Sequence, residues 1–329
     1  MTAPGLCIRT ATGTAALAAI AVLGGACSDG PRSATAHSGP DRPVVVATTG
    51  IWADVVANVA CGGLADVRTV IPAGADPHAF EPSMRDRATL SDASLVVANG
   101  LGLEESLRAP LAAVADEGVP VFEVGRHVRT IPVAGGAEAG SDHGTGSGHG
   151  GADPHIWQDP TRVREAIPAL AEVLVKDAGL DRAKVDACAA AYTAELTALD
   201  QRTETTLGGV PEARRKLVTS HDALGYLAAR YGYEVIGTVI PSASTMAQTN
   251  PADIERLAGL ISSTGVPAVF AETQHSAADT EALARRVGDI EVVTLSTDTL
   301  GEPGSGSDTY VGLMDTNARL IADALVQGR

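Results

Sequence analysis

The sequence predicts an α/β protein built as two lobes joined by a single long rigid helix, and three observations predict it. Short β-branched apolar runs alternate with helical segments in both halves of the chain, the pattern of sheets covered by helices. Between the halves, residues 181–207 read as one long helix, with Val185, Cys188, Tyr192, Leu196 and Leu199 recurring at three or four residues. The tripeptide Asp-Pro-His occurs twice, at 76–78 beside Gly74 at the end of a strand-like run and at 153–155 after a glycine- and histidine-rich run.

The 329 residues suffice for two domains of ordinary size. Aromatic residues are 3% of a chain that is 45% hydrophobic, so the core must rest on Ala, Val, Leu and Ile. A net charge of −16 argues against nucleic acid as a partner, because phosphates need clustered Lys and Arg, and it suits a protein that collects cations. Residues 1–26 read as a signal peptide, with an apolar run ending at Leu23 and small residues Gly24, Gly25 and Ala26 before Cys27. Cys27 resembles the lipid-modified cysteine of a bacterial lipoprotein, although Gly24 stands where a large aliphatic residue is usual. Cleavage to a free secreted protein is the alternative. Residues 27–42 read as a tether.

The first lobe is expected over 43–180. Val44–Thr49 is a strand and Ile51–Ala60 a helix. Val67–Ile71 is a strand, followed by a loop that holds His78 and by a helix at Met84–Ser91. Leu95–Ala98 is the next strand, and Asn99-Gly100-Leu101-Gly102-Leu103-Glu104 lacks the third glycine of a dinucleotide fingerprint, so it reads as a strand-to-helix turn. A helix near Glu105–Glu117 and a strand at Pro120–Val124 follow. Residues 136–150 form a Gly- and His-rich loop in which His143 and His149 could gather metal weakly without holding it in fixed geometry. A helix then runs from Thr161 to Lys176.

At 1.5 Å per residue the 181–207 helix is about 40 Å long, enough to span a domain. The second lobe, 208–329, restarts the alternation: strand Lys216–Thr219, helix Leu224–Tyr231, strand Glu234–Ile240, a helix opening at Pro251, and strand Ala268–Ala271 ending at Glu272. A helix Asp279–Val287, a strand Val292–Leu295 and a last helix from near Asp308 to Leu325 complete it. Cys61 and Cys188 remain as an even pair outside the cytoplasm, either bridged or two separate buried thiols.

His78, His221, Glu272 and Asp298 fall near the carboxyl ends of strands, where α/β domains collect functional groups. Three neutral imidazoles and one carboxylate make a closed shell that zinc accepts readily and manganese or iron can use. His155, fixed by Pro154 within Asp153-Pro154-His155, has the character of a ligand already in place.

From Val44 to the C-terminus the chain is similar to the metal-binding solute receptors of bacterial zinc and manganese ABC importers, the TroA/ZnuA-like cluster. The matching strings are Gly-Ala-Asp-Pro-His-Ala-Phe-Glu-Pro-Ser (74–83), Asn-Gly-Leu-Gly-Leu-Glu (99–104), Asp-Pro-His-Ile-Trp-Gln-Asp-Pro (153–160), Ser-His-Asp-Ala-Leu-Gly-Tyr-Leu (220–227), Phe-Ala-Glu (270–272) and Thr-Asp-Thr-Leu-Gly (297–301). The element Cys61-Gly62-Gly63 and the polar loop after Ile240 most resemble the actinobacterial zinc receptors of the AztC kind. The resemblance implies a metal held between the lobes by His78, His155, His221 and Asp298, with Glu272 as an outer partner or exchangeable ligand. It implies Zn²⁺ ahead of Mn²⁺, since histidine at the third ligand position goes with zinc in that family. It further implies no catalysis, an ABC permease and its ATPase as partners, a periplasmic zinc chaperone as a donor, a monomer, and a place on the outer face of the cell membrane. The rival readings are a zinc-dependent hydrolase, for which the sequence offers neither His-Glu-x-x-His nor Gly-x-Ser-x-Gly, and a surface metallochaperone or adhesin.

Overall fold

The computed structural model describes residues 42–133 and 151–327, apart from 248, 250, 275 and 289. Two all-parallel four-stranded sheets carry them, and the second repeats the strand order of the first. Strands β1 (Val44–Ala47), β2 (Asp66–Thr69), β3 (Leu95–Ala98) and β4 (Val121–Glu123) lie in the order β2-β1-β3-β4. Strands β5 (Lys216–Thr219), β6 (Glu234–Thr238), β7 (Ala268–Glu272) and β8 (Glu291–Leu295) lie in the order β6-β5-β7-β8. Runs such as Leu95-Val96-Val97-Ala98 are apolar throughout because both faces of a parallel sheet are covered.

The covering helices of the first lobe are α1 (Gly50–Val59), α2 (Met84–Ser91), α3 (Arg108–Asp116) and α4 (Pro160–Lys176). Their starts are legible chemistry. The Thr49 side chain accepts the Trp52 N–H, Ser83 and Asp86 form a reciprocal capping box, and Asp159 caps α4 just before Pro160. In the second lobe α6 (Gly225–Tyr231), α7 (Pro251–Thr264) and α8 (Ala278–Val287) play the same part.

The linking helix α5 (Arg182–Gly208) has 27 residues and is N-capped by Asp181. Its residues Val185, Tyr192, Leu196 and Leu199 lie in the first-lobe core with Trp52 and Trp157, whereas Leu207 belongs to the second-lobe core. The C-terminal helix α9 (Tyr310–Gln327) packs along α5 and makes the same crossing. Tyr310, Leu313 and Met314 join the first core, and Ala318, Ile321 and Leu325 join the second. The buried Asp200 of α5 takes a bidentate pair from Arg230 at 2.7 and 3.0 Å and the Tyr231 hydroxyl at 3.1 Å, so α6 is tied to the same spine.

Cys61 and Cys188 are bridged, with Cα atoms 5.5 Å apart, which joins the end of α1 to α5. Strand β2 stops at Thr69 instead of Ile71, although Val70 and Ile71 still donate to Ala47 O and Thr48 O. Helix α9 starts at Tyr310 instead of Asp308. Its Tyr310 N–H is received by the Asp54 carboxylate of α1 at 3.0 Å, a cap that no local pattern encodes.

Candidate metal centre

The strand order reverses between β5 and β7, and a ligand in an open parallel sheet belongs outside the carboxyl ends at such a switch point. His221 follows β5 and Glu272 closes β7. Asp298 lies three residues beyond β8, whose carboxyl end at Leu295 is the one read from the sequence, on a segment held by other elements. Asn317 of α9 accepts from Ser296 N–H at 3.1 Å and donates to Ser296 O at 2.6 Å. From the first lobe, Trp157 Nε1 and Gln158 Nε2 donate to Thr297 O at 2.7 and 3.1 Å.

The two Asp-Pro-His tripeptides share one device. Asp76 Oδ1 accepts the His78 N–H at 2.9 Å, and Asp153 Oδ1 accepts the His155 N–H, also at 2.9 Å. The aspartate thus folds the chain back and presents the histidine. The two then diverge. Asp153 Oδ1 also receives His155 Nδ1 at 2.8 Å, whereas Asp76 Oδ2 receives the Thr245 hydroxyl of the second lobe at 2.6 Å. Along 153–160, aspartate orients His155, Ile156 enters the core, Trp157 and Gln158 grip the Asp298 segment, and Asp159-Pro160 starts α4.

Four side chains converge. His155 Nε2 lies 3.3 Å from His78 Nε2 and 3.2 Å from His221 Nε2. Asp298 oxygens lie 3.4 Å from His221 Nε2, 3.8 Å from His78 Nε2 and 3.9 Å from His155 Nε2. A tetrahedron with metal–ligand bonds near 2.0–2.1 Å has edges of about 3.3 Å, so the set fits zinc. All four residues are at most 3% exposed, which closes the cage to bulk water.

Tautomers sharpen the point. Asp153 faces His155 Nδ1 and Glu272 faces His221 Nδ1 at 2.6–2.7 Å, and an ionised carboxylate can only accept. Each Nδ1 therefore carries a hydrogen, and each Nε2 turns a lone pair inward toward the other Nε2 and the Asp298 carboxylate. Such a cluster of acceptors calls for a cation. The same carboxylates act on His221. Burial pulls its pKa down, but Glu272 and Asp298 more than offset this and hold it well above the usual histidine value. Burial likewise pushes Asp298 up, and the facing imidazoles bring it below the usual carboxylate range.

Glu272, expected as outer partner or exchangeable ligand, sits on the Nδ1 side of His221, and its Oε1 also accepts the His221 N–H at 3.2 Å. Among the described residues, the equivalent switch point of the first lobe holds no such cage. There the buried Glu104 accepts from Thr48 Oγ1 at 2.6 Å and from the Asn99 and Gly100 N–H groups at 2.8 and 3.2 Å. Asn99 in turn receives Trp52 Nε1 at 3.0 Å and donates to Pro154 O at 2.9 Å, so the 99–104 turn buttresses the His155 segment. Cys27, His143 and His149 lie outside the described residues. The sequence reading passed over Gln274, whose amide reaches both Glu272 and Asp298. It lies two residues past β7, where no motif marks it.

A pair of parallel-sheet lobes around a buried His₃Asp cage defines a metal-binding receptor. The family model described as "ZnuA: Zinc-uptake complex component A periplasmic" matches residues 45–324. The chain belongs to this family, the periplasmic metal-binding components of ABC metal uptake. It is 30% identical over 291 residues to the zinc-binding protein TroA of Treponema pallidum, covering 87% of this chain and 90% of that one. It is also 30% identical over 284 residues to the manganese-binding lipoprotein MntA of Halalkalibacterium halodurans, covering 86% and 88%. The solved structure of the Treponema pallidum periplasmic zinc-binding protein superposes with a TM-score of 0.76 at 30% identity, over 86% of this chain and 99% of that chain.

Proposed function

We propose that this protein captures Zn²⁺ outside the cell membrane and delivers it to an ABC permease, without breaking a bond. The observation that carries the choice of ion is the cage itself. Three imidazole nitrogens and one carboxylate, at distances of 3.2–3.9 Å, suit tetrahedral zinc, whereas manganese favours more oxygen and a larger shell. The relatives' names divide between the two metals, so the ligand chemistry supports zinc here. Asp298 fills the fourth position, which argues against a hydrolase that would keep it open for water. The lobes are taken as 43–180 and 208–329 about the 181–207 helix, with Cys27 as the lipid anchor that keeps a monomer near its permease.

Competition titration of metal-free protein with Zn²⁺ and Mn²⁺ tests this reading. One ion per chain and tighter zinc are expected, with little change on deleting 136–150. His78→Ala and His221→Ala should each lose more than the about 10–100-fold that removal of an outer partner costs. Native-like affinity in either variant would refute the ligand set. Metal-dependent binding to a reconstituted permease, and release of the Cys27→Ala chain from membranes, test delivery and anchoring.

A further inference from the structure

We infer that Gly225 and Tyr226 of the second lobe are positioning residues for His155, so that a ligand carried by the first lobe is set by the start of α6. The inference rests on the four-ligand reading above and concerns two residues outside it. Residues 131–133 and 151–153 lie antiparallel. Val133 N–H donates to Gly151 O at 2.7 Å and Asp153 N–H to Ile131 O at 2.9 Å, with Pro132 bridged to Ala152. In a closely spaced antiparallel pair Ile131 N–H would donate back to Asp153 O. Here that bond runs through a hydroxyl: Ile131 N–H donates to Tyr226 Oη at 3.2 Å, and Tyr226 O–H donates to Asp153 O at 2.9 Å.

Tyr226 is buried with its ring in the first-lobe core, which holds the hydroxyl in that ladder. Without the hydroxyl, Ile131 N–H and Asp153 O would lose the group that joins them. Gly225 bears on the side chain of the same aspartate. A Cβ placed on it would stand 2.6 Å from Asp153 Oδ2, closer than carbon and oxygen can pack. The carboxylate cannot swing away freely, because its Oδ1 receives both the His155 N–H at 2.9 Å and His155 Nδ1 at 2.8 Å. Gly225 has no positive φ, so the carboxylate, not the backbone, is what excludes a side chain there. The hydroxyl thus fixes the Asp153 backbone, and the bare Cα of Gly225 leaves room for its carboxylate. The direction of His155 Nε2 follows from both, since the partner of one ring nitrogen aims the other.

Tyr226→Phe removes the hydroxyl and keeps the ring, and Gly225→Ala adds the clashing carbon where alanine otherwise suits a helix. Each should weaken zinc binding by about tenfold or more, the scale of an outer-partner effect. Gly225→Ala acts through the Asp153 carboxylate, so in an Asp153→Ala chain, itself weakened, it should weaken binding no further. In proton NMR of the zinc-loaded protein, the His155 Nδ1 proton should shift in both variants, which a general loss of stability would not produce. Melting curves of the metal-free variants show that each is folded, and either folded variant alone suffices for the test. Native zinc affinity in a folded variant, an unmoved His155 proton, or an equal loss from Gly225→Ala with and without the Asp153 carboxylate would overturn the inference. His155→Ala measured in parallel keeps the two ideas apart. Native affinity there would sink the ligand set, whereas a loss there beside native affinity in Tyr226→Phe and Gly225→Ala would sink the positioning role alone.

Discussion

His221 stands between Glu272 at Nδ1 and Asp298 at Nε2, and that placement sets how metal affinity responds to pH. The sequence alone puts the loss of affinity below about 6.5, the model value for histidine. The structure moves it upward, because the two carboxylates hold the His221 proton well above that value. Metal must displace that proton, so affinity should already fall with acidification at neutral pH. Calorimetry in buffers of different ionisation enthalpy should find net proton release on metal binding near pH 7. Affinity that stays flat between pH 6.5 and 8 would contradict it. The same group makes the metal-free protein sensitive in the other direction. A raised folded pKa contributes stability that is complete below the unfolded value of about 6.5 and is lost as pH rises through the folded value. Metal-free protein should therefore melt at lower temperature as pH rises above 6.5, with the metal-loaded form moving oppositely.

At the scale of elements, the cage is made by segments that other segments hold. His78 and His155 ride on aspartate-folded turns, and Asp298 rides on a strand extension gripped by Trp157, Gln158 and Asn317. The disulfide works elsewhere. Helix α1 returns from the carboxyl edge of the first sheet, so Cys61 lies toward the amino edge, at the far end from the ligands. Replacing both cysteines with serine should cost about 2–4 kcal/mol in denaturant unfolding, because the bridge closes a long loop in the unfolded chain. Zinc affinity should stay within error of native, and a large loss would show that the bridge shapes the cage.

Across the whole molecule, two helices rather than one carry the lobes. A lone linker could flex at its middle, but α5 and α9 lie side by side and each is packed into both cores. Bending one would shear the other, so wide hinge closure is disfavoured and small loop movements are expected around the site. Small-angle scattering should give the same radius of gyration with and without zinc. A resolved compaction on loading would show that the paired helices do yield.

The alternation of β-branched runs with amphipathic segments, the length of α5 and the two Asp-Pro-His turns were all legible in the sequence. Each is a local preference, written within a few residues of where it acts. The tertiary structure alone decided the rest: that α9 enters the first core, that Tyr310 begins it under Asp54, that the cysteines pair, and that Gln274 lies between two carboxylates. These depend on groups far apart in sequence being brought within hydrogen-bond or bonding distance, and no spacing along the chain records that distance. The cage lies between the two cases. Its residue types were visible one by one, while the inward-facing lone pairs that demand a cation exist only once the lobes are packed.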